Sequence, residues 1–159
     1  MAGRVQPIPD NYNRVTPYLI VDGADAAIAF YKDAFGATEV MRMPAPGDKI
    51  GHAEIKIGDC VVMLADAVAE RGHKSPRTLG GSPISLLLYV EDVDKTVDRA
   101  VASGAKLVRP VENQFYGDRT GGIVDPFGHE WYVATHVEDV SPEEMQRRSE
   151  ALMATAAAK

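Results

Sequence analysis

One pattern occurs twice in this chain, and that repetition limits the possible folds more than any other feature. Leu19-Ile20-Val21-Asp22-Gly23-Ala24-Asp25, with an amphipathic run to Gly36 and Ala37, is echoed by Leu88-Tyr89-Val90-Glu91-Asp92-Val93-Asp94, with a run to Gly104 and Ala105. Ile57-Gly58-Asp59 before Val61-Val62-Met63-Leu64 is echoed by Phe127-Gly128-His129 before Trp131-Tyr132-Val133. The copies stand about 69 residues apart, the separation of Leu19 from Leu88. Repeated units of this size pack as like halves and build a shared cleft.

The first copy reads as a strand over Val15 to Val21, a turn at Asp22-Gly23, and a helix from Ala26 to Phe35 with Asp25 as its N-cap. Ile28, Tyr31 and Phe35 recur at helical spacing and face a sheet, and Gly36 closes the helix. A strand near Thr38 to Met43, a Pro-Gly turn, an alternating strand over Ile50 to Ile57, and a strand over Cys60 to Ala65 complete βαβββ. Asp66 to Pro83, rich in Gly, Ser, Pro and Arg, reads as a mobile linker. The second copy gives strand Ile84 to Val90, helix Val93 to Ser103, strand Lys106 to Pro110, a loop over Glu112 to Asp118, strand Arg119 to Val124, and strand Glu130 to Thr135. Ser141-Pro142-Glu143-Glu144 opens a last helix running to about Ala154, docked on the body or on a second subunit.

Bulk properties remove several classes of function. A length of 159 residues with 45% apolar residues suits one compact domain. A net charge of −6 and no cluster of Lys and Arg argue against nucleic acid as a partner. No apolar stretch reaches the ~18 residues of a membrane span, and Met1 to Tyr12 lacks a signal-like apolar core. The single cysteine, Cys60, reads as a buried structural thiol in a cytoplasmic protein.

Strand alternation separates two faces. Pro17, Leu19 and Val21, matched by Leu86, Leu88 and Val90, form the helix-packing face, and Trp131 joins it. The opposite face carries Tyr18, His52, Glu54, Tyr89, Glu130 and Tyr132, too polar for a core, and is the candidate site. His52 and Glu54 read either as an acid–base pair or as solvent-facing strand residues. Tyr116 and Arg119 bring an aromatic ring and a guanidinium suited to planar or anionic ligands, although Asp118-Arg119 also reads as a local turn pair. His129 is assigned to turn formation.

The duplicated βαβββ, with D-x-A-I-x-F-Y-x-x-x-F-G over Asp25 to Gly36 and D-P-F-G-H-x-W over Asp125 to Trp131, resembles the vicinal oxygen chelate superfamily. That group includes glyoxalases, bleomycin-binding proteins and dioxygenases. Val15-Thr16-Pro17-Tyr18-Leu19 and Gln114 to Arg119 look most like its PhnB-like branch. The resemblance covers about Val15 to Thr135. It implies an α+β fold in which repeats over about 15–65 and 84–135 form a curved mixed sheet around a cleft. It places a domain over 1–136, with a helical tail over 137–159.

Family metal sites take ligands from the first and last strand of each repeat. Those positions fall on Thr16, Val62 (Met63 if the register shifts by one), Ser85 and Tyr132, none a good ligand for a divalent cation. The expectation is therefore a metal-independent, cofactor-free small-molecule binding protein, a homodimer that acts by sequestration. Its ligand site is Tyr18, His52, Glu54, Tyr116, Arg119 and Tyr132, with no membrane or nucleic-acid partner. The alternatives are a metal-dependent lyase or dioxygenase using His52, Glu54 and Glu130, and an inert interaction module.

Overall fold

In a computed structural model, residues 6–157 are described. The chain divides into two compact units: the first runs up to Pro83 and takes in Pro126–His129, and the second holds Ile84–Asp125 and everything from Glu130.

In the first unit β1 (Tyr18–Val21), α1 (Ala24–Phe35), β2 (Thr38–Ala45), β3 (Lys49–Ile57) and β4 (Cys60–Asp66) form one sheet in the order β1-β4-β3-β2. β1 runs parallel to β4 and the other pairs are antiparallel. In the second unit β5 (Ser85–Tyr89), α3 (Val93–Ala102), β6 (Lys106–Asn113), β7 (Asp118–Val124) and β8 (Glu130–His136) repeat that arrangement, order β5-β8-β7-β6, followed by α4 (Pro142–Ala157). This is the α+β duplication read from the sequence, each copy carrying its own four-stranded mixed sheet.

α1 and α3 each cover one face of their own sheet. Ile28, Tyr31, Ile55 and Leu64 are fully buried in the first core, where Phe30, Phe35 and Phe127 add edge-to-face aromatic contacts. Val93, Ile123, Val133 and Trp131 fill the second, and the Trp131 indole donates to Asp125.

Three expectations change. Asp25 is not the cap of α1: the helix begins two residues earlier behind Gly23, and Asp66 accepts the amides of Gly23 and Ala24 at 2.9 and 3.0 Å. The expected edge strands stop at their prolines, yet β2 and β6 run through Pro44 and Pro110. Both are edge strands with register shifts at these points, where a missing N–H costs no ladder bond. The segment read as a linker is built: a 3-10 turn at Ala69–Arg71 is followed by α2 (Pro76–Leu79). Fully buried Ser75 caps α2 and donates its hydroxyl to Asp22.

Candidate functional site

The face away from the helices is the more polar in both sheets, and register fixes which residues share it. Across the first sheet, Tyr18, Met63, Glu54 and Met41 form one cross-strand row. Across the second, the corresponding row is Leu87, Tyr132, Gly122 and Arg109. Tyr132 therefore matches Met63. Val62, paired with Ile55, is buried on the helix side. Aligning the turn glycines pointed to Val62 because the β3–β4 and β7–β8 turns differ in length, Ile57 pairing with Cys60 but Val124 with Glu130.

In the first unit the row organises a hydrogen-bonded chain. The Tyr18 hydroxyl lies 2.9 Å from His52 Nδ1, and His52 Nε2 lies 3.2 Å from Glu54 Oε1. Tyr12 donates its hydroxyl to both oxygens of Glu54, at 3.0 and 2.8 Å. A carboxylate accepts only, so Nε2 carries the hydrogen and Nδ1 takes the one from Tyr18. Glu54 is 5% exposed, which excludes the reading of a solvent-facing carboxylate. Burial of this acid depends on Tyr12, which precedes the repeat and gave no signal of pairing with it. The Glu54 carboxylate holds the Tyr12 phenol above its ordinary pKa, with burial adding to the shift. Chemically the chain can pass a proton between Tyr18 and Glu54 through imidazole.

The second unit has a cavity of about 320 Å³ on the same side of its sheet, lined by Arg109, Glu112, Gln114, Tyr116, Thr120 and Tyr132. Tyr116 and Tyr132 were expected here; Glu112 and Gln114 were not, because the strand was ended at Pro110 and they fell in the following loop, and Arg109 and Thr120, inside expected strands, were not singled out. The Arg109 stem lies across Gly122, where a Cβ would come within 3.1–3.2 Å of it. Its guanidinium sits over the Tyr132 ring, 5.5 Å from the centroid. Among the described residues it has no hydrogen-bond or ion-pair partner. Thr120 is 8% exposed, and its hydroxyl is buried without a hydrogen-bond partner.

Tyr116 is placed by the loop before β7. Gly117, at φ 100°, accepts the amides of Val137 and Glu138, and a Cβ on it would fall 2.1 Å from the Glu138 carbonyl. Arg148 of α4 donates to the Phe115 carbonyl and pairs with Glu138, tying the tail to this loop.

Arg119 lies elsewhere. It alternates with Thr120 and forms a two-pronged pair with Asp94 in the first turn of α3, at 2.7 Å for both contacts. Farther along the open face, Asp118 accepts from the Tyr89 hydroxyl and from His136 Nδ1, both at 2.7 Å. Burial would raise the Asp118 carboxyl, but those two partners outweigh it and hold it below its ordinary value. Asp118 in turn raises His136, with help from Asp139. His129 bonds the Ile20 carbonyl. Cys60 is half-buried at the start of β4 beside the Asn13 amide, more open than expected.

The family model for the Glyoxalase/Bleomycin resistance protein/Dioxygenase superfamily matches residues 11–133. The chain belongs to that superfamily. Among its relatives, Mb0911c of Mycobacterium bovis is 44% identical over 149 residues, covering 92% of this chain and 94% of the relative. The crystal structure of TioX from Micromonospora sp. ML1 aligns with a TM-score of 0.62 at 26% identity, covering 79% of this chain and 99% of TioX. A PhnB protein from Bacillus cereus aligns with a TM-score of 0.59 over 77% of this chain and 99% of its own. At 17% identity that likeness is one of fold.

Membership in this superfamily raises the question of a metal, and the side chains at the matching positions do not fit one. The Thr16 hydroxyl donates to the Asn13 carbonyl and the Ser85 hydroxyl to Glu130. Met63 offers a thioether, and the Tyr132 ring already carries a cation over its face. Of the alternative trio, His52 and Glu54 belong to the first unit and Glu130 to the second. Among the described residues no group of three or more His, Cys, Asp or Glu is arranged to hold an ion. No helix among them is long and apolar enough to cross a membrane.

Proposed function

We propose that this superfamily member binds a small molecule without a metal, in the cavity of its second unit, and acts by sequestration. The supporting observation is Thr120: a buried hydroxyl with no partner carries a desolvation cost that a bound ligand would remove. Arg109 and Tyr132 at the same cavity supply a cation and an aromatic surface. The exposed Leu87 and Tyr89 side chains suit a homodimer, and one unpaired thiol suits a reducing cytoplasm. A thermal-shift screen tests the reading. A ligand at about 100 times its Kd adds about 2.7 kcal/mol of stability, and Tyr132→Ala should remove that gain. If no compound raises the Tm, the inert-module alternative takes its place.

The Tyr18–His52–Glu54 chain supports a second reading, acid–base catalysis on the first sheet. Isomerisation of methylglyoxal–thiol adducts, lost in His52→Ala, would favour it.

A further inference from the structure

The two open faces are built on one plan and finished with opposite chemistry. In the first unit, Glu54 stands in the row of Met63 and Tyr18 and accepts the phenol hydroxyl of Tyr12, so the chain supplies its own aromatic donor. In the second unit the matching place is Gly122, crossed by the Arg109 stem, and the place of His52 is taken by Thr120. Acceptor has become donor. The Arg109 guanidinium has one face on Tyr132, and its edges, where the N–H groups lie, have no partner among the described residues. The unpartnered Thr120 hydroxyl and the half-exposed Tyr116 ring line the same cavity.

We infer that the cavity takes a small aromatic monocarboxylate. This rests on the binding reading above and adds the class of ligand. The carboxylate meets the Arg109 edge and the Thr120 hydroxyl through charge-assisted hydrogen bonds, and the ring lies against Tyr116. Glu112, which makes no ion pair with Arg109, lines the cavity too and repels a second negative charge. The pocket thus selects for one charge as well as for shape.

The full chain is titrated with four probes, benzoate, benzamide, cyclohexanecarboxylate and phthalate, and amide resonances are followed by NMR. Benzoate should shift Thr120, Gly121 and Tyr132 and bind about tenfold tighter than benzamide, the scale of one charge-assisted contact, and more tightly than cyclohexanecarboxylate, which lacks the aromatic ring, and phthalate, which carries a second negative charge. Arg109→Gln should cost benzoate about tenfold, and Thr120→Val should weaken it while raising the Tm of the free protein, because a buried unpaired hydroxyl is removed. Thr120→Ser should retain binding. Equal affinity for benzoate and benzamide, or unchanged binding in Arg109→Gln, overturns the ligand class. If these probes leave the cavity resonances unmoved while another compound shifts them, the carboxylate inference falls and the binding reading stands. If no compound shifts them, both fall.

Discussion

Single side chains decide the chemistry of both faces, and three have consequences that can be measured. Glu54 is buried because Tyr12 donates to both of its oxygens. Tyr12→Phe leaves that carboxylate with His52 alone, and the urea midpoint should fall. An unchanged midpoint would show that Glu54 is satisfied in another way. His136 gives a pH signature. Its proton is held more tightly in the folded chain, first by Asp118 and then by Asp139. That stabilisation is complete below the free imidazole value and lost as pH rises through the folded one. Asp118, held low, contributes stability above the free carboxylate range that is lost as pH falls through its folded value. The Tm should therefore decline as pH rises above the free imidazole value of about 6.5, and His136→Gln should flatten the decline in calorimetry. The His136 side chain is 53% exposed, so solvent screens the pair and the effect is small.

At the scale of elements, the repeat extends to how its helices start. Asp66 takes the amides of Gly23 and Ala24 at the head of α1, and also the amide of Ile50 in β3 at 2.7 Å. In the second unit Thr135 takes the amide of Val93, the first residue of α3, and donates to the Val90 carbonyl. Both are last-strand residues capping a helix of their own unit, although one is a carboxylate and the other a hydroxyl. Asp66→Ala orphans three backbone donors, two of them buried, and should cost about 2–4 kcal/mol, against about 1 kcal/mol for Thr135→Val. Comparable losses in denaturant unfolding would contradict this account. Asp25 was credited with the α1 cap because it sits beside the turn, and capping by a residue forty positions away has no local signature. The edge-strand prolines misled for a related reason: whether a missing N–H matters depends on what lies alongside, which a single strand does not reveal.

For the molecule as a whole, the donor chemistry at the family's metal positions predicts that chelation leaves it intact. Dialysis against a chelator should change neither the Tm nor ligand binding. Stoichiometric metal in the purified protein, with a Tm that falls on its removal, would overturn metal independence. The sequence by itself determined the duplication, the order of the elements, and the assignment of Leu19, Val21 and Trp131 to the core and of Tyr18, His52 and Tyr132 to the open face. Those are matters of period and spacing, which act over a few residues. Only the tertiary structure decided that Tyr12 covers Glu54, that Arg119 is spent on Asp94, and that Arg109 and Thr120 have no polar partner among the described residues beside Tyr132. Hydrogen bonding and burial depend on which groups meet across strands, and that meeting is set by register and packing over the whole unit.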